Sequence, residues 1–346
     1  MSNTATVLAF DFGASSGRAI RAVYDGQNLT YEEIHRFENV PIEKDGHLCW
    51  DVETLLKEIH TAIQKAGTFD SLGFDTWGVD FGLLDADGHL LANPVHYRDA
   101  RTNGKPEQAA ARMPAEELYA HTGNQIMAIN TLFQLLALQE QESELLQKAE
   151  QILFMPDLFA ALLGAEPVCE RSIASTSQML DPRTGQWSRE VLTAYGLKEN
   201  HFAPLVASGT VTGTLTTGAK IIAVAGHDTQ CASAAMPCAE EDVEHTAFLS
   251  CGTWSLLGTE LDTPILTADS CQSGLSNELG ANGKINYLKN IIGLWLIQES
   301  RREYKRRGQA YSFAELEQQA LAAEPLRSFI DPDAPEFVAP GDLPGR

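Results

Sequence analysis

The 346-residue chain is short of basic residues, has no long apolar run and carries no paired cysteine motif; each shortage excludes a class of protein. Lys and Arg number 25 against 47 Asp and Glu, a formal charge of −22. A field of that sign repels nucleic acid and anionic membrane surfaces. It still permits a phosphorylated small molecule, because backbone N–H groups and Mg²⁺ bind phosphate locally inside an acidic protein. No stretch approaches the ~20 apolar residues of a membrane helix. The opening MSNTATVLAFDFG has no basic n-region and meets Asp11 early. It reads as a first strand rather than a signal peptide, so a cytoplasmic chain is expected. Cys49, Cys169, Cys231, Cys238, Cys251 and Cys271 include no C-x-x-C pair and no histidine at zinc spacing. Reduced, buried thiols are expected, with no structural metal site. Nothing calls for an obligate protein partner.

What is present is an α/β pattern long enough for two domains. A division is expected in the acidic stretch Ala239–Glu244, giving residues 1–239 and 240–346. Residues 6–12 form an apolar run that stops at Gly13. The turn Gly13-Ala14-Ser15-Ser16-Gly17 leads to a second strand near Arg18–Tyr24, and Leu29–Phe37 suggests a third. Strand, tight turn, strand is neither a P-loop nor a Rossmann unit, both of which turn into a helix. Asp51 predicts a helix cap through Lys65, with Leu55, Leu56, Ile59 and Ile63 at helical spacing. Strands are predicted at Leu72–Thr76 and Val79–Leu84, and helices near 106–120, 131–150 and 156–163. A short strand, Lys220–Ala225, ends in Gly226-His227-Asp228-Thr229 before a helix at Gln230–Met236. From Thr246 the opening pattern returns, with Phe248–Cys251, then Gly252-Thr253-Trp254-Ser255, then another strand.

Gly13–Gly17 offers successive backbone N–H groups, two hydroxyls and little bulk, the makings of an anion nest or of an ordinary hairpin turn. Asp11 beside it would hold Mg²⁺ directly or through water. Gly252–Ser255 is a second loop of the same kind, and two such loops could clamp a polyphosphate. Asp228, at the mouth of a strand, is either a base toward a substrate hydroxyl or a helix cap. Trp77 with Gly78 suits a sugar ring and its approach to the backbone, or else Trp77 is core. Tyr97-Arg98-Asp99 reads as a charged pair. In Lys289–Gln298, Asn290 reads as a helix cap and Gln298 as a helical face. Arg301, Arg302, Lys305, Arg306 and Arg307 read as the basic end of that helix.

Together these stretches resemble the FGGY carbohydrate kinases. The resemblance is carried, in order, by DFGASSGR at Asp11–Arg18, Trp50-Asp51-Val52, DTWGVDF at Asp75–Phe81 and YRDART at Tyr97–Thr102. It continues through Asn130-Thr131 with Gln134-Leu135, Met155-Pro156-Asp157, GHDT at Gly226–Thr229, GTWSL at Gly252–Leu256 and KNIIGLWLIQ at Lys289–Gln298. It implies two actin-like (ribonuclease H-like) domains around an active-site cleft. It also implies transfer of the ATP γ-phosphate to the 1-hydroxyl of L-rhamnulose. By this resemblance Asp228 is the base, and Gly78, His227, Asp228, Thr229 and Asn290 contact the sugar. Ala14, Ser15, Ser16, Gly17, Arg18, Thr253 and Gln298 contact ATP, and Asp11 helps hold Mg²⁺. The family's Gly-rich adenosine loop has no counterpart after residue 300, so the second domain is expected to be incomplete. Two alternatives stay open: a non-catalytic sugar-binding remnant, and a kinase for a related ketose such as L-fuculose.

Overall fold

Strict alternation opens the fold. In β1 (Ala5–Phe12) Leu8, Phe10 and Phe12 point one way and are fully buried, the period-two pattern of a strand covered on that face. The computed structural model describes residues 4–338 and 341–346. β1 pairs antiparallel with β2 (Ser16–Tyr24), and β2 with β3 (Leu29–Glu38). α1 (Val52–Ala66) then crosses over. Asp51 caps it by accepting from Thr54 N at 3.1 Å, and Leu55, Ile59 and Ala62 face inward. The crossover delivers β4 (Ser71–Thr76) parallel to β1. β5 (Phe81–Leu84) departs from this sheet and pairs with β6 (Gln151–Phe154). Between them lies α2 (Thr131–Gln141), and β6 runs directly into α3 (Met155–Leu162), with Pro156 in its first turn.

β7 (Thr210–Thr214) and β8 (Lys220–Ala223) complete a six-stranded sheet of order β7-β8-β4-β1-β2-β3. α4 (Asp228–Ala234) follows β8. A second, four-stranded sheet is antiparallel throughout, in the order β9 (Phe248–Cys251), β10 (Trp254–Leu261), β12 (Ile285–Ile292), β11 (Ser276–Leu279). α5 (Trp295–Arg306) and α6 (Phe313–Ala322) come after it. Phe10 stacks on Phe74 at 4.8 Å and Phe12 on Phe159 at 4.9 Å, so α3 and the first sheet share one aromatic core.

Several predicted elements end elsewhere for local reasons. The expected helix at 106–120 is two, Lys105–Ala109 and Ala115–Thr122, with Pro114 between them. The one at 131–150 breaks at Glu142, whose φ of −139° leaves the helical region before Ser143–Lys148. The strand expected from Val79 starts at Phe81, because Val79 itself adopts a φ of +67°, a strained backbone for a β-branched residue. Asn290 does not cap a helix. It lies inside β12, where Ile291 and Ile292 continue the pairing with β10, and α5 begins only after Gly293. The basic end of α5 is tied up by acids as well as by the helix dipole. Arg302 and Arg306 reach Glu299, and Arg307 reaches Glu303 and Asp342.

Candidate active site

The two Gly-led turns occupy equivalent places in their hairpins. At the β1–β2 turn Gly13 N donates to Ser16 O at 2.8 Å; at the β9–β10 turn Gly252 N donates to Trp254 O at 2.8 Å, one residue tighter. The second turn is braced by the start of α5, since Gly293 N and Trp295 N both donate to Thr253 O. Thr253 Oγ1 reaches Gln298 Oε1 at 3.3 Å. Both turns open on one cavity of about 310 Å³. Of the residues the sequence singled out, Ala14, Ser15, Gly78, His227, Asp228, Thr229, Thr253, Asn290 and Gln298 line it. Asp11, Ser16, Gly17 and Arg18 are not among its lining; they lie at the adjoining ends of β1 and β2. A side chain at Gly17 would put its Cβ 2.3 Å from the Phe37 ring, so packing alone already demands glycine there.

His227 and Asp228 stand where β8 hands over to α4. Here the residue in the cap position is His227, with extended backbone, and Asp228 falls in the first turn. Asp228 Oδ1 accepts from Thr229 N at 2.6 Å and from Thr229 Oγ1 at 3.2 Å. About 40 % of its side chain remains accessible. Burial among the cleft walls pushes its carboxyl up, His227 opposes this, and Asp11 adds to it. His227 Nε2 lies 3.4 Å from Asp228 Oδ1, and its Nδ1 lies 3.0 Å from Glu278 Oε2 on β11. Gly226, before them, admits no side chain: a Cβ would sit 2.8 Å from Pro156.

The apolar wall is held from behind by one carboxylate. Asp80 accepts from Trp50 Nε1 at 2.6 Å, Trp77 Nε1 at 3.0 Å, Tyr97 N at 3.1 Å and Gln134 Nε2 at 2.8 Å. Burial pushes its carboxyl up to about 6 even though all four donors pull the other way. Trp77 is both core and lining: it packs on Trp50 at 4.0 Å and borders the cavity. Gly78 lies beside it, where a Cβ would come within 3.4 Å of His227 Nε2. Asn290 N and Nδ2 both donate to Gln125 Oε1, at 3.2 and 3.3 Å. Arg98 and Asp99 do not pair with each other. Asp99 accepts from Leu48 N and Arg101 N, whereas the Arg98 guanidinium stacks over Trp295 at 4.0 Å.

Residues 6–234 match the FGGY family of carbohydrate kinases, N-terminal domain, and residues 247–346 match its C-terminal domain. The chain belongs to the FGGY family of carbohydrate kinases. A rhamnulokinase of Bacteroides thetaiotaomicron is 41% identical over 349 residues, covering 97% of this chain and 70% of the relative. One of Enterococcus faecalis is 39% identical, covering 98% and 69%. One of Bacillus subtilis is 37% identical, covering 97% and 70%. Among solved structures, a gluconate kinase from Lactobacillus acidophilus superposes with a TM-score of 0.73 at 17% identity, over 92% of this chain and 65% of that one. A xylulose kinase from the same organism gives 0.70 at 16% identity, over 92% and 66%. At those identities the likeness is one of fold, the two-domain actin-like α/β architecture. The chain spans about 70% of these curated relatives and about two thirds of these solved structures.

FGGY kinases act on small sugars with ATP, typically with Mg²⁺, and Asp11 has the chemistry for such a cation. Arg18 reaches it from the opposite strand, Nε and Nη2 both going to Oδ2 at 2.7 and 2.6 Å, which leaves Oδ1 to spare. Asp75, its register partner on β4, is pushed well above the usual carboxylate range by burial, then by Asp11 and Asp228. Two carboxyls at paired positions on β1 and β4 offer the oxygen ligands a hard cation takes. Among the described residues no helix is long and apolar enough to cross a membrane. Sequence reasoning missed Glu278, Gln125 and Thr176 in the cavity lining. None sits in a Gly-rich turn. No local signal marks Glu278 in Ser276-Asn277-Glu278-Leu279; only the fold shows that all four are buried, and buried carboxylates need partners.

Proposed function

We propose that this chain transfers the γ-phosphate of ATP to the 1-hydroxyl of L-rhamnulose in the cytoplasm, with Asp228 as the general base. The observation that carries the reading is a partly accessible carboxylate, Asp228, in the same cavity as both Gly-led turns. The identity of 37–41% to rhamnulokinases over about 97% of the chain supports the choice of sugar. Residues 1–239 and 240–346 form the two walls of the cleft. Phosphoryl transfer asks for positioning and charge stabilisation more than for covalent chemistry.

Gly78, His227, Thr229 and Asn290 hold the ketose against the Trp77 wall, with its hydroxyl toward Asp228. Asp228 takes the hydroxyl proton as the sugar oxygen bonds to the γ-phosphorus. The bond from that phosphorus to the bridging oxygen breaks, and ADP carries that oxygen away. Ala14, Ser15, Ser16, Gly17 and Thr253 present N–H and hydroxyl donors to the phosphates. Arg18 keeps Asp11 in place, and Gln298 fixes Thr253. Asp11 would hold Mg²⁺, which neutralises phosphate charge when bound.

ADP release measured with L-rhamnulose, L-fuculose and D-xylulose tests the reading. Preference for L-rhamnulose is expected. Preference for L-fuculose would reassign the sugar. Calorimetric sugar binding with no turnover on any ketose would favour the non-catalytic sugar-binding reading.

A further inference from the structure

Asp228 does not stand alone in the cavity: the imidazole beside it is gripped from the other sheet. His227 and Glu278 are both buried, and they come from parts of the chain 51 residues apart. Glu278 Oε2 lies 3.0 Å from His227 Nδ1 and also accepts from Gln230 Nε2 at 2.8 Å. Gln230 is itself fully buried on α4, so the carboxylate is fixed from two directions. A carboxylate oxygen can only accept, so Nδ1 carries a proton and the ring's orientation is set by Glu278. The remaining ring nitrogen, Nε2, faces Asp228 Oδ1 at 3.4 Å.

We propose that Glu278 is the positioning residue of this site, holding the His227 imidazole between the two sheets and against the Asp228 carboxylate. The proposal rests on the reading of Asp228 as the base. Its physical content is charge order. The charged groups that bear on the ring are Glu278 from β11, Asp228 from the first turn of α4 and, further off, Glu170. Burial works against a charge on His227, but Glu278 foremost, then Asp228 and Glu170, outweigh it and raise its pKa. A doubly protonated ring donates at Nδ1 to Glu278 and offers its other N–H to Asp228. That positive charge opposes the upward push that burial, and then Asp11, exert on the Asp228 carboxyl. Glu278 belongs to the four-stranded sheet, whereas the base is anchored at the end of the six-stranded one. A residue of the opposite wall therefore bears on the base through the imidazole held between them.

The test is Glu278→Gln, which keeps the shape and an acceptor for Nδ1 while removing the charge. The ring protonation of His227, followed by ¹H–¹⁵N NMR of the imidazole over pH 5–9, should fall to lower pH by about one unit or more. The kcat at pH 7 should drop about tenfold and its acid limb should move to higher pH, with KM for the ketose within about threefold. Glu278→Asp should recover part of both. An unchanged His227 titration and an unchanged acid limb would overturn the proposal. The NMR readout needs no turnover. A shifted titration in a chain that phosphorylates nothing would uphold the Glu278 link and fail the kinase reading instead. Should Glu278→Gln not fold, the wild-type ring decides through its neutral tautomer: the proton on Nδ1 upholds the link, and the proton on Nε2 overturns it.

Discussion

In the six-stranded sheet Leu8, Phe10, Phe12 and Phe74 are closed to solvent, and Phe12 stacks on Phe159. The four-stranded sheet has only a small cluster of its own, Phe248, Leu256 and Leu288, adds Leu279 and Ile285 to the large core, and leaves Leu249 and Leu257 on its outer face at 57% and 47% exposure. The first sheet is the more deeply buried platform. The second is docked through Leu279 and Ile285 and through polar contacts such as His227 to Glu278, Asn290 to Gln125, Tyr119 Oη to Ser270 Oγ at 2.8 Å, and Asn277 Nδ2 to Gly123 O at 3.1 Å. Local stability follows buried apolar contact. Asp228 is therefore rooted in the more deeply buried wall, and Glu278, which reaches the neighbouring His227, comes from the other. The His227–Glu278 contact depends on how well the second sheet stays docked.

The sharpest way to break this contrast is a pair of core truncations followed by denaturant unfolding. Phe74→Ala should cost about 3–5 kcal/mol and Leu288→Ala about 2–5 kcal/mol. The two should act on separate transitions, with Leu288→Ala moving only the earlier one. A single transition shifted equally by both variants would mean that the sheets unfold as one unit.

Asp80 gives the next largest effect and confines it to the first sheet. Its carboxyl is raised from an ordinary 3.8 to about 6 in the folded chain. The folded state therefore binds a proton that the unfolded state has released. The Asp80 contribution falls as pH rises from about 4 through 6, by roughly 3 kcal/mol in all. Asp80→Asn should flatten that slope in unfolding measured at pH 4.5 and pH 7, and should lower stability at both because an amide N–H₂ must meet donors. A slope identical to wild type would show that Asp80 does not titrate in this window.

At the small end, Leu321 on α6 is exposed and outside every buried cluster of the second sheet. Leu321→Gln should change stability by less than about 0.5 kcal/mol. A larger loss by the same unfolding assay would reveal packing of α6 that the contrast leaves out.

Legibility in the sequence followed the same division. An apolar run ending at Gly13 placed β1, capping placed α1, and the Gly-led turns located both hairpins, because these signals are written in consecutive residues. GHDT led to Asp228 for the same reason. Asn290 was misplaced because apolar residues on both sides of Gly293 can be read at helical spacing, while pairing with β10 decides for a strand. Arg98 and Asp99 are neighbours in sequence, yet their partners, Trp295 and Leu48, lie far along the chain. Glu278 and Gln125 were missed because their meaning comes only from contacts across 51 and 165 residues. Local chemistry marks where a base can stand. Only tertiary contact determines what holds its neighbours in place.

The central claim, that Asp228 is the base, is tested most directly by ketose-dependent ADP release from Asp228→Asn. The amide keeps the size and the bond to Thr229 but cannot take the hydroxyl proton. Turnover on L-rhamnulose should fall by about 10²–10⁴-fold, with calorimetric sugar binding kept within about threefold. An Asp228→Asn protein that retained most of its activity would contradict the assignment.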